Sequence, residues 1–200
     1  GDHTVQMRYD NGEQETKWVT IERNRTANVA FIYEKNIKKG YSIGDRGPAG
    51  GLIFYDKGIY SDGWRYLEAA PASTEWEEKA WGPYAVLVGG TSTTLGSGKE
   101  NTKTIVDFLN LRGEYDKAAC LCDDLEFGGY KDWFLPSLKE LEMMYKNLHK
   151  QLLGGFADSD YWSSSENGNY QAWEQFFYNN GQKYGGNKNS YYRVRAVRAF

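Results

Sequence analysis

Cysteine, proline, histidine and methionine are all scarce in this 200-residue chain, which has two Cys, four Pro, two His and three Met. Cys120 and Cys122 cannot build a disulfide framework, and with one residue between them a mutual bridge would be strained. They do not make a zinc knuckle either, because the spacing is wrong and no second pair or His cluster follows. Free thiols fit a reducing compartment, and equally a secreted protein with buried cysteines. No stretch approaches the roughly 18 apolar residues of a membrane helix, so the chain is not expected to span a bilayer. A formal charge of −3 gives no bulk attraction to nucleic acid or to an anionic membrane. The opening Gly1-Asp2-His3 has neither the basic start nor the apolar run of an export signal.

What the chain has instead is 23 Gly, 16 Tyr and 7 Trp at a mean hydropathy of −0.73. This composition indicates loops and aromatic anchoring more than long aliphatic elements. The length suits one good-sized domain with a short appendage. Residues 1–40 are polar, with a strand-like run from Ala27 to Tyr33 and then Lys35, Lys38 and Lys39. They read as an N-terminal strand-containing extension or the remnant of a preceding module. Residues 41–200 read as the main domain.

Within that domain, Gly47-Pro48-Ala49-Gly50-Gly51 is a turn signal followed by strands at Leu52–Asp56 and Trp64–Ala70. Two main helical regions are expected after the uncharged loop 89–98. In the first, Asn101 or Thr102 caps a segment with Ile105, Val106, Phe108 and Leu109 on one face, and a second segment follows from about Glu114 to Leu125. The other begins with a capping box at Ser137 and Glu140, ahead of Leu141, Met144, Tyr145 and Leu148. Asn167-Gly168 and Asn179-Asn180-Gly181 are hairpin signals, and the last strand is Arg193–Phe200. Strands, then helices, then an antiparallel β-meander make an α+β fold.

Enzyme signatures are weak. His149 is the only histidine outside the tail, and its place near the end of a helix suits a cation at the helix C-terminus. Gly96-Ser97-Gly98-Lys99 resembles a phosphate loop, but Glu100 stands where a magnesium-binding Ser or Thr is needed. Asp158-Ser159-Asp160 begins like a calcium loop and continues without its turn glycine. A hydrolase site at Asp158, Asp160 and Glu166 is the least favoured class. No cofactor is expected.

The segment from Glu166 to Tyr192 carries the signal. Among its 27 residues are six Asn, five Tyr, four Gly and one Ser, a mixture that binding loops favour. Tyr gives large contact area for two side-chain torsions, and Asn and Ser adapt their hydrogen bonds. Hairpin turns account for Asn167, Gly168, Asn180 and Gly181. Period-two alternation places Trp173, Gln175 and Phe177 on one face of a strand and Glu174, Phe176 and Tyr178 on the other.

Four motifs are similar, in order, to the bacterial family typified by the C-terminal domain of collagen-like adhesins: Gly50-Gly51-Leu52-Ile53-Phe54-Tyr55, Gly128 through Ser137, Tyr161-Trp162-Ser163-Ser164-Ser165-Glu166, and Val194-Arg195-Ala196-Val197-Arg198. The resemblance spans residues 41–200. It implies a C-type-lectin-like fold and an extracellular or cell-surface binding module, with the motifs as scaffold. Some relatives, such as the phage major tropism determinant, are variable proteins of diversity-generating retroelements, in which adenine-directed mutagenesis rewrites ligand-facing codons. Carried over, the contact positions are Asn167, Asn169, Tyr170, Glu174, Phe176, Tyr178, Tyr184, Asn187, Asn189, Tyr191 and Tyr192. Trp162, Trp173, Gln175 and Phe177 form their frame. The calcium-dependent sugar motif of animal C-type lectins and the reactive C-terminal cysteines of formylglycine-generating enzymes are both absent.

The expectation is therefore a non-catalytic module that presents a Tyr/Asn-rich face to a protein or glycan on another cell, phage or host surface. The alternative is a structural adhesin that uses the same face for self-assembly.

Overall fold

A computed structural model describes residues 2–8, 14–20 and 40–200. The chain divides into two compact units, Gly1–Gly40 and Tyr41–Phe200. In the first, β1 (Asp2–Arg8) and β2 (Gln14–Thr20) form an antiparallel pair running from Asp2 opposite Thr20 to Arg8 opposite Gln14. The strand expected at Ala27–Tyr33 lies outside the described residues.

The second unit is α+β. Its first sheet has three strands in the order β10–β4–β3, namely Val197–Ala199, Trp64–Ala69 and Leu52–Ser61. Its second sheet has the order β5–β9–β6–β7–β8. These strands are Trp76–Ala80, Tyr191–Val194, Asp160–Glu166, Gln171–Phe176 and Lys183–Asn187. Strands β6, β7 and β8 form an antiparallel meander, whereas β9 returns on the far side of β6 and runs parallel to it. The C-terminal segment is thus not a simple meander, and the single strand expected over Arg193–Phe200 is two. Arg195 and Ala196 carry the chain from one sheet to the other, and Val197 then pairs with Ala69.

Three helices fill the middle of the chain. α1 (Gly98–Asn110) has its N-cap at Ser97, four to five residues before the expected one. Asn101 and Thr102 are buried inside it because their side chains hold other segments. Asn101 bonds both the N–H and the C=O of Ser92, and the Thr102 hydroxyl receives the Leu135 N–H at 2.9 Å. α2 (Ala118–Asp123) is shorter than the expected Glu114–Leu125 segment. Lys117 is extended, and six residues suffice to bury Ala118, Ala119, Cys120 and Cys122. α3 (Leu138–Asn147) has the full capping box between Ser137 and Glu140. Both cysteines are free and buried, and desolvation raises the Cys120 thiol to about 11, so they serve as small core residues.

The quoted motifs are frame. Gly51 is required because a Cβ there would lie 2.1 Å from the Ala69 carbonyl oxygen. The buried Glu68 carboxylate accepts the Gly51 N–H at 2.7 Å and faces Arg198, which also forks onto Asp132 at 2.9 and 3.0 Å. Arg195, fully enclosed, binds Glu75 and the carbonyls of Ala70 and Gly154. Ser163, Ser164 and Ser165 are all fully buried. Their hydroxyls bond the Trp173 carbonyl, the Asn101 amide and the Ser92 carbonyl, tying β6 to β7, α1 and the loop before α1.

Candidate functional site

Pairing in the five-stranded sheet sets which side chains share a face. Asp160 lies opposite Phe176, and Trp162 opposite Glu174. Glu174 lies opposite Tyr184. Residues paired across strands project to the same side, so Asp160, Trp162, Glu174, Phe176 and Tyr184 share one face. The other side of the same strands holds Tyr161 and Phe177, fully buried at 4.3 Å centroid separation and packed toward Tyr145 of α3. One face therefore stiffens the strands from behind.

On the first face, three aromatic rings stack in sequence. Phe176 lies 4.9 Å from Tyr178 at an interplanar angle of 3°, and 4.9 Å from Tyr184 at 30°. Tyr184 is 47% exposed. Beside them Tyr192 lies 4.5 Å from the buried Trp162, whose indole N–H donates to the Lys79 carbonyl at 2.8 Å. Gly186 makes room for this group, since a Cβ there would lie within 3.0 Å of Tyr192, Trp162 and Glu174.

Glu174 sits low in the face and is only 4% exposed. Desolvation, with the Asp160 charge adding to it, raises its carboxyl to about 7, and the Tyr192 hydroxyl offsets part of the rise. Desolvation also raises Asp160, against the pull of the Tyr178 hydroxyl. Asp160 Oδ1 and Glu174 Oε2 are buried without a hydrogen-bond partner.

The eleven candidate positions do not form one patch. Glu174, Phe176, Tyr178, Tyr184 and Tyr192 come together as described. Asn167, Asn169 and Tyr170 lie at the β6–β7 turn, where Tyr170 meets Tyr84 at 5.2 Å. Asn187 lies opposite Gln171 and so shares the face of Trp173, away from Glu174. Asn189 is exposed in the β8–β9 turn. Alternation along β9 points Tyr191 away from Tyr192, and it is 70% exposed. Of the expected frame, Gln175 and Phe177 are buried behind the face, Trp173 is partly buried, and Trp162 is its floor.

Two residues matter here in roles that the sequence does not indicate: Asp160, considered above only for a calcium loop or a hydrolase site, and Lys188. Asp160 belongs to the face, but the hairpin register could not be counted back from Asn167-Gly168. The register shifts between Trp162 and Glu166, so four residues of β6 advance against two of β7. Lys188 is fully buried and paired with Glu166, which no local pattern signals. The hydrolase grouping does not assemble. Glu166 ends β6 in that ion pair, roughly 13 Å from Asp160, the length of the four β7 steps from Ala172 to Phe176 that the two residues face, and Asp158 is exposed beside His149. Among the described residues, no group of three His, Cys, Asp or Glu could hold a metal ion, and no helix is long and apolar enough to cross a membrane. A cavity of about 590 Å³ opens elsewhere, between Trp64, Lys99, Trp133 and Phe134. Several charged groups around it are already paired, among them Lys103 with Asp107 and Asp132 with Arg198.

A family model described as the Lcl C-terminal domain matches residues 71–198. The chain belongs to this family. The matched span of the Lcl C-terminal domain takes in the whole aromatic face and both arginines of the last motif, and leaves out the Gly50–Tyr55 motif. No curated protein matches the chain. Among solved structures, a fimbrial protein from Bacteroides ovatus is similar at a TM-score of 0.51 and 15% identity, over 84% of this chain and 41% of that one. The chain therefore spans well under half the length of that neighbour, and the likeness is one of fold.

Proposed function

We propose that the Lcl C-terminal domain of this chain is a non-catalytic, surface-displayed binding module of the adhesin type. The observation that carries the reading is the Tyr178–Phe176–Tyr184 stack, held on strands whose reverse side is core. Large rings kept at a surface by a rigid support supply contact area with little side-chain entropy left to lose. The family assignment and a fold shared with a fimbrial protein support an extracellular or cell-surface setting. The sheet order, with short helices between two sheets and buried tryptophans under the last strands, is in keeping with a C-type-lectin-like arrangement.

Retroelement-driven diversification is the finer part of the proposal. It is supported by the Asn/Tyr/Gly/Ser mixture from Glu166 to Tyr192, set on a scaffold whose own bonds come from Ser163–Ser165, Arg195 and Arg198. Of the eleven candidate contacts, Glu174, Phe176, Tyr178, Tyr184 and Tyr192 form the proposed primary surface, and the turn residues Asn167, Asn169, Tyr170 and Asn189, with the strand residues Asn187 and Tyr191, form a secondary one. The genomic neighbourhood tests it: a second copy of the last coding stretch, differing only at adenines and beside a reverse transcriptase gene, is expected. A locus with neither would overturn the diversification reading and leave the binding module standing.

A further inference from the structure

The acidic side chains buried in this unit fall into two groups. Most are compensated. Glu68 faces Arg198, Glu75 holds Arg193 and Arg195, Glu166 holds Lys188, and Glu142 gathers Lys139, Lys146 and Lys183. Glu140 accepts N–H groups from Ser137, Gly96 and Gly98. Asp160 and Glu174 are the exceptions. Among the described residues neither is in an ion pair, and each has a buried oxygen with no partner. The basic residues on neighbouring strands are committed elsewhere: Lys79 to Asp116 at 2.8 Å, Arg193 to Glu75 and Glu77, Lys183 to Glu142.

An uncompensated carboxylate pair costs stability unless something neutralises it. Here the pair lies beside the Tyr178–Phe176–Tyr184 stack and under Tyr192. Ring faces attract cations, and a planar guanidinium both stacks on them and forks onto carboxylate oxygens. We infer that Asp160, Glu174 and the surrounding rings form a subsite for the guanidinium group of an arginine side chain on a protein partner. This rests on the reading of the face as a ligand surface and names the chemistry it takes. An anionic ligand meets two like charges there, and a neutral sugar would leave both carboxylates uncompensated.

The groups facing Glu174 are Asp160 from β6, Tyr178 at the end of β7, Tyr184 from β8 and Tyr192 from β9, with Lys79 of β5 beside Tyr192 and already paired. The Glu174 carboxyl, raised to about 7, is half protonated near neutral pH. Binding of a guanidinium therefore releases a proton and strengthens as pH rises.

The test is an NMR titration of the whole chain with Nα-acetyl-arginine methylamide, alongside the lysine and the uncharged citrulline analogues. The arginine compound is expected to bind with a dissociation constant of about a millimolar, moving the Glu174 and Asp160 carboxyl signals and the rings around them. Binding should tighten roughly tenfold from pH 5.5 to pH 8, and should weaken at least tenfold in Glu174→Gln and in Asp160→Asn, each with an otherwise unchanged backbone spectrum. Equal binding of citrulline, equal binding of lysine, or no shifts at the face with the arginine compound would each overturn the assignment. If those results came while the aromatic face still bound cells, the cation subsite would fall and the binding module would stand.

Discussion

Lys188 and Glu166, 22 residues apart, form a buried ion pair at one end of the five-stranded sheet. The Glu166 carboxylate also accepts the N–H groups of Val88 and Gly89, each at 2.7 Å, and the Lys188 ammonium donates to the Val86 carbonyl at 2.6 Å. The backbone of Lys188 in turn bonds Tyr170, Trp81 and Gly82. One pair thus fixes the β6–β7 turn, the β8–β9 turn and the loop 86–89 to one another.

Removing one member of this pair leaves the other charged and enclosed. Lys188→Met is expected to lower unfolding stability by about 3–5 kcal/mol, and the double variant Lys188→Met/Glu166→Gln by clearly less. Urea denaturation of the three proteins measures both, and equal losses would show that the ion pair does not organise the turns.

Glu174 links the face to pH. Its folded pKa of about 7 lies above the ordinary carboxyl value of 4.5, so its contribution to stability is fully present below about pH 4.5 and is lost as pH rises through 7. Glu174→Gln cannot ionise and should escape that loss. It is expected to be more stable than the wild type by roughly 2 kcal/mol at pH 8 and about equal to it near pH 4.5. Denaturation curves at the two pH values check the sign.

Two adjacent glycines separate close packing from backbone conformation. A Cβ at Gly51 would strike the Ala69 carbonyl, whereas Gly50 has open space and a φ of 85°. Gly51→Ala is expected to cost on the order of 3 kcal/mol or more by forcing the β3–β4 junction apart, and Gly50→Ala only about 1–2 kcal/mol of left-handed strain. Thermal unfolding ranks the two directly, and the reverse order would contradict the described packing.

Tyr191 and Tyr192 are neighbours with opposed roles. Tyr192 packs on Trp162, and Tyr191 is open to solvent. Tyr192→Ala is expected to destabilise by about 2–3 kcal/mol, and Tyr191→Ala to lie within about 0.5 kcal/mol of wild type.

The α+β order, the Ser137 capping box and the alternation that divides Glu174, Phe176 and Tyr178 from Gln175 and Phe177 could all be read in the sequence, because each is a local pattern. The crossing of β9 to the far side of β6 could not. It depends on Arg195 finding Glu75 and on Ala196 bonding Ala70 across 126 residues or so of chain. The site was half legible for the same reason. Tyr and Asn mark exposed positions by composition, but which of them share a face depends on the irregular pairing of Ser163–Ser165. That irregularity hid the place of Asp160 in the face, whereas Asn187 and Tyr184, three residues apart on β8, fall on opposite faces by simple alternation.

The most direct test of a rigid frame carrying a contact face is the triple variant Phe176→Ala/Tyr178→Ala/Tyr184→Ala, assayed as labelled protein on intact bacterial and host cells that the wild type binds. The expected result is loss of cell binding with a thermal midpoint within about 5 °C of wild type. Retained binding, or a collapse of the thermal midpoint that shows these rings to be core, would contradict it.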